Sequence, residues 1–169
     1  MSGSEHGQST ATPLPPRTAA RVAAVQALYQ MDMAGTDLNA VIDEFVRLRF
    51  PRPPGDEVAS GADAVFFTEL LRGVVRRQRD IDPLVDQQLA EGWRLIRIDA
   101  IVRAILRSGV FELMGRPDVP ARVVINEYIN VAHSFFESEE PKVVNGVLDK
   151  LARRLRPSEF NGHDARKAK

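Results

Sequence analysis

The chain has 169 residues, the size of one ordinary domain or of two small helical lobes packed together. Its 23 basic and 23 acidic residues cancel, so it does not coat nucleic acid through bulk charge, and any such binding needs a local patch. It has no cysteine, which excludes disulfides, thiol catalysis and thiolate-bound zinc or clusters. The first ten residues, MSGSEHGQST, carry neither a basic segment nor an apolar run, and no stretch approaches the ~18 apolar residues of a membrane span. The expectation is a cytoplasmic protein that does not enter a membrane.

Six of the 11 prolines fall in two short places, at 13–16 and 51–54. The first group closes a polar, low-complexity arm over residues 1–16, which its composition predicts to be disordered. The second, in PRPPGDEVASG, reads as a loop between helices. Between the arm and residue 157 the apolar residues recur with a period near 3.6 and no period-2 strand appears, which predicts an all-α protein. Thr18 is the expected N-cap of a first helix ending near Gly35, and Asp37 the cap of a second over residues 38–50. Asp63 opens a third, turning Val65, Phe66, Leu70, Leu71 and Val74 inward and Arg72, Arg76, Arg77 and Arg79 largely outward. Asp82-Pro83 couples a capping residue to a proline suited to a first helical position, so a short fourth helix is expected from there to Gly92. The segment 82–94 is then the junction between an N-terminal lobe, residues 17–92, and a C-terminal lobe, residues 93–157.

A fifth helix over residues 95–114 carries a wide apolar arc, as suits a helix surrounded by others. The sixth, residues 121–136, has the cleanest pattern: Val124, Ile125, Tyr128, Ile129, Val131, Ala132 and Phe135 share one side, and Asn126, Glu127, Asn130, His133 and Ser134 the other. The seventh starts at Pro141 and packs Val144, Val147, Leu148, Leu151 and Leu155. Its Asn145-Gly146 pair would alone suggest a hairpin turn, but the helical spacing around it outweighs that signal. Residues 158–169 read as a polar tail. The whole is about seven helices in two packed lobes, without the roughly 30–45-residue repeat of a solenoid.

Catalytic chemistry is sparse in this sequence. Of three histidines only His133 lies outside the arm and the tail, and a lone histidine on a polar helix face is ordinarily a solvated side chain. There is no HExxH, no phosphate loop and no dinucleotide fingerprint. Glu112 falls inside the apolar arc of the fifth helix, as a perturbed carboxylate or as half of a structural ion pair. No enzyme, cofactor or metal is expected. Binding features are better represented. Arg17 and Arg21 stand one turn apart at the start of the first helix, where two guanidiniums can bracket a phosphate. Tyr29 is either a core residue or a stacking platform for a base. The arginines of the third helix form either a solvated face or an anion track.

Four words in this chain, taken in order, resemble the NusB family of bacterial transcription antitermination factors: AARVAAVQALYQMD (19–32), AILRSGVFEL (104–113), DVPARVVINEYINVA (118–132) and VVNGVLDKL (143–151). They span nearly the whole structured chain. The resemblance implies an all-helical, two-lobed fold. It also implies binding of the single-stranded boxA element of ribosomal RNA leader transcripts together with NusE, a small-subunit ribosomal protein, inside the RNA polymerase elongation complex with other Nus factors. Carried over position by position, the family's basic N-terminal motif reaches this chain only as Arg17 and Arg21, because Thr18, Ala19 and Ala20 stand where basic residues are often found. Tyr29 matches the aromatic of the QALY word, and Lys142 a basic residue just before the VNG word. Val143 stands where many members have Phe, and His133 where Lys is common. The RNA-binding set is therefore Arg17, Arg21, Tyr29, Lys142 and Val143, thinned enough that the partner is expected to supply much of the affinity. The partner surface is placed around the fourth and fifth predicted helices. Two alternatives stay open: a helical protein-protein module or homodimer that does not touch RNA, and the NusB-like RNA-binding domain of a ribosomal RNA methyltransferase, whose catalytic cysteines this chain lacks. Monomer and homodimer are both compatible with the sequence.

Overall fold

A computed structural model describes residues 13–89 and 98–161. Seven helical elements appear among them, the number expected, though divided differently, and no strand. They are α1 (Pro16–Ala34), α2 (Leu38–Glu44), a π-helical segment (Phe45–Arg49), α3 (Ala64–Gln88), α4 (Ala100–Gly115), α5 (Ala121–Phe135) and α6 (Glu140–Leu155). Among the described residues no helix is long and apolar enough to cross a membrane.

α1 starts two residues before the expected cap. Pro15 is its N-cap and Pro16 its first helical residue, because a proline there loses no intrahelical bond and arrives with a helical φ. Thr18 is instead inside the first turn and ties it to α5. The end of α1 is as expected: Gly35 takes φ +65°, and its N–H returns to the Met31 carbonyl at 3.0 Å. Ala19, Ala20, Ala23, Ala24 and Ala27 are fully buried, and these small side chains let α3, α4 and α5 approach α1 closely. Asp37 caps α2 through the amides of Asn39 and Ala40, and Asp63 caps α3 through that of Phe66. The π-helical segment after α2 turns Phe45 toward Phe67, with rings stacked at 5.3 Å, and Phe50 meets Phe67 edge-on at 4.9 Å.

Val65 does not turn inward; it is among the most exposed apolar residues, while Phe66, Phe67, Leu70, Leu71 and Val74 form the buried stripe of α3. The predicted break at Asp82-Pro83 does not occur either. α3 runs through Pro83 to Gln88, because Ile81 and Val85 are fully buried on either side and Asp82 is gripped by a two-bond fork from Arg107 of α4, both bonds 2.9 Å. Pro83 itself is exposed, so the missing amide is lost on the solvent side. Gly92 and the second part of the proposed 82–94 junction, residues 90–94, lie outside the described residues. α4 begins at Ala100 rather than 95, since Asp99 takes the N-cap position and accepts from Ile101 N–H at 2.7 Å.

α4 is the helix that the others surround. Its Gly109 lies against Leu148 of α6 and Tyr128 of α5, and the ring of its Phe111 occupies the space beside Gly73 of α3, where a Cβ would fall 2.0 Å from that ring. One continuous apolar core runs from α1 to Phe160. Phe160 overturns the expected tail at its start: residues 158–161 make a further helical turn, and the ring is buried under Arg153. Arg156 anchors that turn by donating to the carbonyls of Leu113, Glu112, Arg116 and Val119 and to the Glu159 carboxylate.

Candidate nucleic-acid interface

The two arginines at the start of α1 have opposite fates. Arg21 is only 3% exposed, and its guanidinium forks onto Glu112, with Nε to Oε2 at 2.8 Å and Nη2 to Oε1 at 2.9 Å. Glu112 is fully buried and accepts a third bond from the Tyr128 hydroxyl at 2.5 Å. Arg21 Nη1 also lies 3.5 Å from Glu127, whose carboxylate takes a hydrogen bond from the Thr18 hydroxyl at 3.1 Å. Burial opposes the charge on Arg21, but the Glu112 bonds and charge outweigh it and hold the guanidinium above its ordinary pKa. Burial, reinforced by the Glu112 carboxylate, pushes the Tyr128 hydroxyl well above its ordinary value, so it remains a neutral donor. Every member of this cluster is charge- or hydrogen-bond-satisfied, which is the condition for a buried ion pair to persist. Glu112 is thus the structural half of an ion pair. The phosphate clamp expected of Arg17 and Arg21 does not form, because an incoming phosphate would have to displace Glu112 from a dry site.

Arg17 is exposed. Its guanidinium sits 4.9 Å from the Phe66 ring centroid, and the guanidiniums of Arg21 and Arg116 lie 4.9 and 5.2 Å from the same ring. Arg116 is occupied by a two-bond fork to Asp118 and a bond to Glu69. Its hydrogen bond to Asp118, helped by its charge and that of Arg17, holds the Asp118 carboxyl below the usual range. Arg17 itself makes no ion pair among the described residues. The first turn of α1 has no side-chain cap and no acidic residue, so its free amides and the positive end of the helix dipole lie beside an exposed guanidinium outside any ion pair among the described residues.

Tyr29 stands at the other end of α1, 12 residues or about 18 Å along the axis. It is 39% exposed, so it is not a core residue. With Val25, Gln26, Met33, Ile101 and Phe135 it lines a groove of about 460 Å³. The side-chain oxygen of Gln26 is buried there without a hydrogen-bond partner, alone in this among the described residues. Gln26 is absent from the residues expected at the site, and its signal in the sequence is a glutamine inside the apolar run AAVQALY. Lys142 and Val143 occupy the first turn of α6. Lys142 is exposed and makes only a loose 3.7 Å contact with an equally exposed Glu139, while Val143 is half-buried against the core. His133 is exposed on the polar face of α5. The five named residues therefore do not gather in one pocket. Arg17 and Tyr29 mark the two ends of one helix, Lys142 and Val143 lie on another, and Arg21 is inside.

This order of helices and their packing is that of an all-helical family of solved structures. The family model of the NusB family matches residues 18–153, and the chain belongs to that family. The transcription antitermination protein NusB of Maricaulis maris is 56% identical over 144 residues, covering 85% of this chain and 90% of that protein. NusB of T. maritima superposes with a TM-score of 0.72 at 28% identity, over 86% of this chain and 97% of that one. A structure of the antitermination factors NusB and NusE in complex with dsRNA shares the fold with a TM-score of 0.67 at 24% identity, over 82% of this chain and 96% of that one.

Proposed function

We propose that this chain is a transcription antitermination factor that binds boxA-type single-stranded leader RNA of ribosomal RNA operons, together with a NusE-like small-subunit ribosomal protein, and joins the RNA polymerase elongation complex. Family membership and the names of the curated relatives support the class of activity. The observation on this chain that carries the RNA reading is the solvent face of α1, with an exposed guanidinium packed on Phe66 and an uncapped amide turn at one end and an exposed aromatic at the other.

In this reading a phosphate sits against Arg17 and the first amides of α1, where helix N-termini favour anions. A base lies over Tyr29, and an exocyclic amino group donates to the unmet oxygen of Gln26, satisfying an acceptor that is otherwise costly to bury. Lys142 supplies a second phosphate contact. Val143 offers no ring to stack on, a loss of about 1–3 kcal/mol per base relative to an aromatic, so affinity for RNA alone is low and the partner contributes strongly. The partner docks around the end of α3 and the start of α4, adjoining the groove at Ile101. Arg21 acts by positioning: it pins the first turn of α1 without touching RNA.

The test is fluorescence anisotropy of a labelled boxA RNA, titrated with the protein alone and with its NusE-like partner. Binding that weakens log-linearly with salt, strengthens with the partner and disappears on a scrambled RNA is the expected result. A folded protein that binds neither RNA under either condition would overturn the reading in favour of an interaction module that does not touch RNA.

A further inference from the structure

The exposed face of α3 carries charge that nothing in the fold uses. Arg72, Arg76 and Arg79 fall within a 60° arc at 100° per residue and span about 10.5 Å of helix axis. Arg76 and Arg79 have no ion-pair or hydrogen-bond partner among the described residues, and Arg72 donates only to the neutral side chain of Asn39, at 3.1 Å. Arg77, off this arc and half-buried, is the one that meets an acid, Asp80 at 3.6 Å. Beyond the row, Arg154 of α6 reaches α3 by donating to the side chain of Gln87 at 3.0 Å, again a neutral partner. The acids nearest the row are Glu69, engaged by Arg116, Asp80, paired with Arg77 and one turn past Arg76, and Asp86, nearly two turns past Arg79. In a chain of zero net charge this is a concentrated, unneutralised strip.

We infer that this strip is a second, sequence-independent contact for the phosphate backbone of RNA, extending the track that begins at Arg17. The inference rests on the RNA reading above. Three observations favour RNA phosphates over an acidic protein. The strip is all arginine, the side chain whose planar fork matches phosphate. It contains no aromatic to stack a base, only Val75 at its edge, so it reads backbone and not sequence. It also shares a helix with the first site: Phe66, on whose ring Arg17 packs, precedes Arg72 by six residues of α3, about 9 Å along the axis and about 120° around it. RNA held at the start of α1 thus meets this face next as it leaves the element.

The experiment compares two RNAs on the full chain: a short boxA oligonucleotide and the same oligonucleotide lengthened by unrelated single-stranded sequence. The wild type is expected to bind the longer RNA more tightly and with a steeper salt dependence. Replacing the strip (R72Q/R76Q/R79Q) is expected to flatten the slope on the long RNA by about 2, at ~0.7 per phosphate contact on single strands, and to leave the short-RNA affinity and the melting temperature unchanged. R72K/R76K/R79K is expected to retain most of the slope. A glutamine variant with wild-type slope and affinity on the long RNA would overturn the inference. So would loss of binding to a polyglutamate probe with long-RNA binding intact, which would mark the strip as a surface for an acidic protein. If the wild type binds neither RNA, the RNA reading itself fails, a result distinct from failure of the strip alone.

Discussion

Arg21 of α1 and the Arg72, Arg76, Arg79 row of α3 are arginines on neighbouring helices, and the fold treats them in opposite ways. Arg21 is buried, forked onto a buried carboxylate and braced by a tyrosine hydroxyl. The α3 row faces solvent and makes no ion pair among the described residues. What differs is the medium. In the dry seam between α1, α4 and α5, an ion pair is held because either half alone is intolerable there. On the α3 surface, water and salt screen the charge until it contributes almost nothing to folding, which leaves it free for a ligand. Stability and binding are therefore assigned to different arginines, and substitutions should separate them.

The largest effect belongs to the seam. R21A strands the Glu112 carboxylate and should lower stability by about 3–5 kcal/mol, visible as a collapse of the thermal melt. A melting temperature near wild type would contradict the ion-pair account. Y128F should come next, at about 1.5–3 kcal/mol for a lost hydrogen bond to a charged group. It also carries a pH signature. The Tyr128 pKa is raised in the folded state, so its contribution is fully present below the ordinary tyrosine value of about 10 and is lost as pH rises beyond it. Y128F should therefore blunt the alkaline fall in stability, and melts recorded on both sides of pH 10 would show whether it does. R17A should be the mildest in folding, within about 0.5 kcal/mol of wild type as for other exposed positions, while reducing RNA binding.

The contrast also shows what could be read from the chain and what could not. Elements whose signal is local were legible. The apolar side of α5, the caps Asp37 and Asp63, and Gly35 at the end of α1 follow from spacing and backbone preference over a few residues. The misreadings share a cause in tertiary contact. Pro83 reads as a helix start because the fork from Arg107 onto Asp82, 25 residues apart, leaves no local signal. Phe160 reads as part of a tail because its cover, Arg153, comes from the preceding helix. Arg21 reads as a pair with Arg17 because they are one turn apart, whereas its partner Glu112 is 91 residues distant on a different helix. A charged residue at an apolar position on each of two helices was the available clue to that pair. Among the site residues, exposure was the missing quantity. It separates Arg17 and Tyr29 from Arg21, and neither residue type nor helical phase supplies it.

The most direct measurement is the salt dependence of boxA RNA binding by R17A beside the wild type, with thermal melts of both. The assignment of binding to the exposed arginine and folding to the buried one predicts that R17A lowers the slope of log affinity against log salt by about 0.7, one phosphate contact on a single strand, and leaves the melting temperature unchanged. An unchanged slope, with the protein folded and RNA bound, would contradict it.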